Sequence, residues 1–286
     1  MHCCTGIEAL RQQLAAWRQA GERIAFVPTM GNLHAGHLRL VELARRQADR
    51  VVVSIFVNPL QFAAGEDLAA YPRTPAEDAS ALEQAGVDLL FLPAEETIYP
   101  HGREAICRIT VPPELGEILC GASRPGHFDG VATVVCKLFN LVQPDLACFG
   151  RKDYQQLLVL QQMVRDLNIP VRLIGVDTVR EADGLAMSSR NAYLGAEERQ
   201  QAPTLYRTLQ LLAGRIQAGE QDFAVLQAEG MRLLEEAGLR PDYVSIRGSG
   251  DLRPAVAGDT ELVILAAAYL GRARLIDNLC LTLSGG

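Results

Sequence analysis

Residues Val51-Val52-Val53-Ser54-Ile55-Phe56-Val57 form a β-branched apolar run interrupted by a single serine and ended by Asn58-Pro59. A run that is apolar on both faces suits a central strand of a parallel sheet, covered above and below. The flanking sequence agrees. Residues 7–19 place Ile7, Leu10, Leu14 and Trp17 on one helical face. Residues 24–27 read as a short buried strand entering the turn Pro28-Thr29-Met30-Gly31. Residues 36–48 read as a helix with Leu40, Leu43 and Ala44 turned inward. Residues 75–85 form a helix with proline in its first turn and Gly86 just past its end, and 88–92 the next strand. A helix over 129–142 repeats Val131, Val134, Val135, Leu138 and Phe139 at three and four residues and stops before Pro144. A strand over 146–149, a helix over 153–167 and a strand over 171–176 complete the series. Strand–helix alternation with short connections implies an α/β fold, a parallel sheet with helices on both faces.

The pattern changes near Ala182. Two long helices are expected over 196–218 and 222–237, then strands over 243–246, 261–267 and 273–281. We place a boundary near residue 180, giving domains 1–180 and 181–286, the second a smaller C-terminal α+β domain. At 286 residues the chain suits about two domains. Hydrophobic residues make up 49% and charged residues 21%, the composition of a packed globular protein. A net charge of −7 gives no electrostatic footprint for nucleic acid or an anionic membrane, so any polyanion site must be a local pocket of positive charge. The seven cysteines are irregularly spaced and lack a C-x-x-C pair, which argues against zinc-ribbon and thioredoxin-like chemistry and for a reducing, cytoplasmic setting. Residues 1–10 lack a cationic stretch followed by an apolar one, so no signal peptide is expected.

Five segments carry chemistry. The first, residues 28–37, holds Met30, Gly31, Asn32, Leu33, His34, Ala35, Gly36 and His37 where a strand ends and a helix begins. Ligands bind beyond the carboxyl ends of strands in open parallel sheets, and a helix N-terminus offers unpaired N–H groups to an anion. His34 and His37, three apart, share one face of the helical turn and suit donation to phosphate oxygens. The same pair also suits two partly buried histidines at a helix cap, or a metal given a third ligand. The second segment, Gly150-Arg151-Lys152-Asp153 with Gln156, again follows a strand; Lys152 is a point charge suited to phosphate, and Asp153 a capping residue or ribose contact. The third is Met187-Ser188-Ser189-Arg190, where two hydroxyls and a guanidinium suit a triphosphate. The fourth, Asn58 to Gln61, offers amides for hydroxyl and carboxylate groups. The fifth contains Arg124, a phosphate contact or a surface charge. Taken singly, the second and third segments better suit ordinary polar loops.

In this order and spacing, the five segments resemble pantothenate synthetases over nearly the whole chain. That family is similar to the HIGH-motif nucleotidyltransferases: His34-Ala35-Gly36-His37 occupies the HIGH position and Met187-Ser188-Ser189-Arg190 that of the mobile KMSKS-type loop. The resemblance implies a Rossmann-like sheet and an ATP-dependent condensation of pantoate with β-alanine through a pantoyl adenylate, with AMP and pyrophosphate released. It implies ATP binding by residues 30–37, by Gly150, Arg151, Lys152 and Asp153, by Val179, and by Met187, Ser188, Ser189 and Arg190. Gln61 would contact pantoate and β-alanine, Gln156 pantoate, and His37 would be the proton donor. With His34 and Lys152, His37 forms the expected catalytic set; Asn58 and Arg124 complete the expected substrate contacts. Mg²⁺ with unassigned ligands and a homodimer are also implied. Arg151 departs from the Glu or Gln of many members, and His2-Cys3-Cys4 is an unusual start. Two rival functions stand beside this one: a nucleotidyltransferase that shares the His-x-Gly-His site but stops at a nucleotide-capped product, and a non-catalytic nucleotide-binding regulator, which would not need Lys152, both histidines and Ser188-Ser189-Arg190 together.

Overall fold

The computed structural model describes residues 1–63, 65, 66 and 68–283. Two compact units emerge: Met1–Arg151 with Val159–Asp177, and Lys152–Leu158 with the chain from Thr178 onward. The short segment 152–158 therefore counts with the second unit.

The first unit is built on β1 (His2–Cys4), β2 (Ile24–Thr29), β3 (Arg50–Ile55), β4 (Leu89–Phe91), β5 (Leu146–Gly150) and β6 (Arg172–Val176). All neighbours are parallel, in the order β1-β4-β3-β2-β5-β6. The chain runs outward from β2 through β3 and β4, then returns across the sheet to β5 beside β2. The strand order reverses there, and a parallel sheet opens a ligand crevice at such a point, beyond the carboxyl ends of the strands.

Helices α1 (Ile7–Gln19), α2 (Ala35–Gln47), α3 (Pro75–Gln84) and α7 (His127–Val142) are the longer crossover elements before β5, and α8 (Tyr154–Asp166) follows it. Alternation along β2 sends its side chains to opposite faces. Ala25 and Val27 join Leu40, Val41 and Ala44 of α2 and Leu82 of α3 in one apolar cluster. Phe26 points the other way, its ring 6.3 Å from that of Phe139 in α7 and edge-on to it. Both faces of the central strands are buried, as the unbroken valine run requires.

Three short helices, α4 (Glu95–Ile98), α5 (Pro113–Gly116) and α6 (Cys120–Ser123), have too few residues to show helical periodicity in the sequence. β1 is likewise too short; it pairs with β4 at the sheet edge through His2, Cys3 and Cys4. The unusual start of the chain is thus an edge strand. None of the seven cysteines is in a disulfide, and burial lifts the thiols of Cys4 and Cys148 to about 11.

The second unit contains α9 (Ala196–Gln201), α10 (Thr204–Gln217), α11 (Phe223–Glu236) and the antiparallel sheet of β7 (Arg240–Gly248), β8 (Glu261–Leu270) and β9 (Ala273–Thr282), in that order. A single helix over 196–218 is not what forms: Pro203 has no N–H for the carbonyl four residues earlier, and the helix divides there. Leu205, Leu209 and Leu212 of α10 and Leu226 and Leu234 of α11 pack with Leu262, Ile264 and Leu275 of the sheet. Among the described residues, no helix is long and apolar enough to cross a membrane.

Candidate active site

In the first unit, β2 ends at Thr29 and α2 begins at Ala35. The connecting loop turns through two left-handed residues, Gly31 at φ 82° and Asn32 at φ 51°. A Cβ on Gly31 would stand 3.0 Å from Asp78 Oδ2 and from the Ile55 side chain, so the loop needs glycine for space as well as for conformation. Asp78, on the inner face of α3 and 3% exposed, holds this turn. Its Oδ2 accepts from the Asn32 N–H and its Oδ1 from the Leu33 N–H, both at 2.8 Å, and Thr74 Oγ1 donates to Oδ1 at 3.1 Å. Sequence reasoning missed Asp78. The available signal was a carboxylate four residues before Leu82, on the apolar side of an amphipathic helix.

His34 is the N-cap of α2 and His37 its third residue. His34 Nδ1 accepts from the Gly36 N–H at 3.1 Å, and His37 Nδ1 accepts from the His34 N–H at 3.3 Å. The rings lie 4.1 Å apart at 43°. The pair is therefore a capping box made of imidazoles. An Nδ1 that accepts leaves the proton of a neutral ring on Nε2. The backbone thus sets the tautomer of both rings, and capping and donation use different nitrogens of the same side chains.

Gln61 follows β3 in a 3-10 turn, Pro59–Gln61. Its Nε2 donates to Met30 Sδ at 3.2 Å, and its Oε1 accepts from Asn58 Nδ2 at 3.2 Å. Asn58 is 1% exposed, and its amide is spent inside the protein. Nδ2 also donates to the Gly130 carbonyl at 3.1 Å, while Oδ1 accepts from Tyr99 Oη at 2.7 Å and from the Leu60 N–H at 3.4 Å. The hydroxyl and the carbonyl together decide which way the Asn58 amide faces, and Asn58 in turn orients Gln61. Gly130 lets α7 touch this turn, since a Cβ there would come within 2.2 Å of the Leu60 carbonyl oxygen. In the structure Asn58 supports Gln61.

Arg124 is also turned to internal use. It forms a two-pronged pair with Glu66, at 2.6 and 2.7 Å, and donates to the Gln61 carbonyl at 3.1 Å. Its Nη1 lies 2.9 Å from His127 Nε2; because a guanidinium only donates, that nitrogen accepts, and His127 Nδ1 donates to the Gln61 carbonyl at 2.7 Å. Burial works to raise the Glu66 carboxyl, but the hydrogen bond and charge of Arg124 hold it below the ordinary carboxylate value. Arg124 thus ties Gln61 to Glu66.

Gly150 ends β5, and Arg151 follows it, exposed, with Nε 3.5 Å from Asp177 Oδ1. A pair this open contributes little to stability. Among the described residues, no group of three or more His, Cys, Asp or Glu side chains is placed to hold a metal ion.

The remaining expected residues lie in the second unit. Lys152, with a side chain 18% exposed, has its Nζ 4.0 Å from Asp153 Oδ1. Asp153 closes the 3-10 turn before α8, and Gln156 is half-buried in that helix. The Val179 carbonyl accepts from the Met187 N–H at 2.9 Å, closing a hairpin that turns at Gly184. Ser188 then caps a 3-10 turn over Ser189–Tyr193, its Oγ accepting from the Arg190 N–H at 3.3 Å. Lys152, Ser188 and Asn191 line one small crevice with Tyr206 and Asp277.

Residues 2–280 match the family described as pantoate-beta-alanine ligase. The chain belongs to that family. A pantothenate synthetase of Shewanella sediminis is 59% identical over 276 residues, covering 96% of this chain and 98% of the relative. The crystal structure of pantothenate synthetase from Thermus thermophilus superposes with a TM-score of 0.92 at 48% identity, covering 98% of this chain and 99% of that one. The pantoate-beta-alanine ligase of Francisella tularensis, solved in complex with beta-gamma ATP and beta-alanine, gives a TM-score of 0.81 at 35% identity, covering 98% and 97%. The chain is accordingly a ligase with the Rossmann-like parallel sheet of its family and a smaller antiparallel domain.

Proposed function

We propose that this ligase joins pantoate to β-alanine in two steps. A carboxylate and an amine at neutral pH form a salt, so the acid must first gain a leaving group. A pantoate carboxylate oxygen attacks the α-phosphorus of ATP in line, and the bond to pyrophosphate breaks. The β-alanine nitrogen, as the free amine, then attacks the acyl carbon of pantoyl adenylate. The bond to AMP breaks and the amide nitrogen loses its proton.

The observation that carries this reading is the histidine pair. With both Nδ1 atoms engaged by backbone N–H groups, each neutral ring carries its proton on Nε2, a donor suited to phosphate oxygens at a helix N-terminus. The ATP-binding set implied by the family resemblance is residues 30–37, Gly150, Arg151, Lys152, Asp153, Val179, Met187, Ser188, Ser189 and Arg190. Positioning and charge stabilisation supply most of the catalysis. Mg²⁺ characteristically keeps phosphate and water ligands, which suits a protein offering no metal cluster of its own among the described residues. Bound there, it would neutralise charge on the phosphates. Gln61 and Gln156 contact pantoate, and Gln61 also β-alanine.

The experiment supplies ATP, pantoate and β-alanine together and in pairs, and assays pyrophosphate, AMP and amide. Pyrophosphate is expected with pantoate alone, AMP and amide only once β-alanine is added. A nucleotide-capped product that persists with β-alanine present would overturn the ligase mechanism. Tyr99→Phe removes the hydroxyl that orients Asn58 and hence Gln61. It is expected to raise the KM for pantoate about fivefold, the equivalent of about one hydrogen bond, with kcat nearly unchanged. An unaltered KM in steady-state kinetics would remove Tyr99 from that role.

A further inference from the structure

Asp277 and Asn278 are adjacent in β9, and both side chains are buried although strand neighbours point to opposite faces. On one face, Asp277 follows Ala273 and Leu275 and precedes Leu281, all in the apolar cluster. A carboxylate there is costly unless paired. Arg180 supplies the pair, with Nη1 at 2.5 Å and Nη2 at 2.9 Å from its two oxygens. Arg180 also donates to the Gly184 carbonyl at 3.1 Å and lies 3.5 Å from the centre of the Tyr206 ring. One guanidinium therefore braces the root and the tip of the hairpin that delivers Ser188, Ser189 and Arg190.

On the other face, Arg274, Ile276, Cys280 and Thr282 are half-buried or exposed, and Asn278 alone is buried. Its Nδ2 donates to the Lys152 carbonyl at 2.9 Å. Its own N–H donates to Asp277 Oδ1 at 2.8 Å, so the two residues are tied together. A buried ion pair is seldom better for stability than a well-packed apolar pair. This one ties the hairpin to β9, and the neighbouring Asn278 ties the Lys152 segment to the same strand.

We propose that Asp277 and Asn278 are positioning residues, fixing Lys152 relative to the hairpin before Ser188. The proposal rests on the reading above, in which Lys152 stabilises charge during adenylation. Neither residue touches the reacting atoms; Asn278 acts through the Lys152 backbone, and Asp277 through Arg180.

The test is a double-mutant cycle on pantoate-dependent pyrophosphate release. Asn278→Asp keeps the shape but turns a donor into an acceptor facing the Lys152 carbonyl. It is expected to lower kcat about tenfold in the native background, and less than about twofold in a Lys152→Ala background, because contacting residues that act as a unit are not additive. Asn278→Ala, which deletes the donor without adding repulsion, is expected to show the same pattern. Thermal melting of each variant checks folding. Equal losses in both backgrounds, for both substitutions, would overturn the positioning role. If Lys152→Ala itself left pyrophosphate release unchanged, the adenylation reading would fall, and the proposal with it.

Discussion

Lys152→Ala is expected to slow pantoate-dependent pyrophosphate release by ~10²–10³-fold, the usual cost of losing one preorganised group aimed at developing charge. The expectation follows from how the side chain is held. Asn278 anchors the Lys152 backbone, while the ammonium has only a loose 4.0 Å approach to Asp153 and the side chain as a whole is 18% exposed. A compact charge on a fixed stem, with no closer carboxylate among the described residues to spend it on, suits a phosphate oxygen. Pantoate binding to the free enzyme should change far less than the rate, because the lost interaction strengthens only as the bond to pyrophosphate breaks. Rapid-quench measurement of pyrophosphate alongside calorimetric titration of pantoate separates the two. A variant that bound pantoate about tenfold more weakly, yet released pyrophosphate at the native rate when saturated, would make Lys152 a substrate anchor.

The sheet was legible because its strands are apolar on both faces, a pattern with few other homes in a chain of ordinary composition. The run from Val51 and the strand entering Thr29 placed β3 and β2, and the glycines and histidines after Thr29 placed the start of α2. Elements too short for a period, such as β1 and α4, left no such trace. The long helix that Pro203 divides shows a different limit: apolar spacing continued through a residue that the backbone hydrogen-bond pattern could not accommodate.

The site was legible by residue type and less so by role. Asn58 and Arg124 are polar residues next to a site, and sequence alone does not say whether such a group faces the ligand or the scaffold. In the structure both have internal partners, and those arrive from far along the chain. Tyr99 is 41 residues from Asn58, Gly130 is 72 from it, and Glu66 is 58 from Arg124. The histidines pose the question differently, because each ring has two nitrogens and a cap through Nδ1 does not use Nε2.

Asp78→Ala is expected to destabilise the first unit by ~2 kcal/mol and to raise the KM for ATP at least about tenfold, the cost of leaving two backbone N–H groups without their acceptor. Asp78 accepts from the N–H groups of both Asn32 and Leu33, and the turn it holds contains two left-handed residues in succession. Such a turn has little intrinsic preference for its shape, and a buried carboxylate supplies that preference from a neighbouring helix. Without it, the start of α2 loses its fixed approach, and the two imidazoles lose the backbone geometry that sets their tautomers. Asp78→Asn should fall between the native protein and Asp78→Ala, because one amide oxygen can still accept while the NH₂ group meets a second donor. Urea unfolding measures the first effect, and steady-state kinetics with varied ATP the second. Stability lost with an unchanged KM for ATP would show that residues 30–34 do not need Asp78 to receive the nucleotide, and the link drawn from α3 to the phosphate site would be broken.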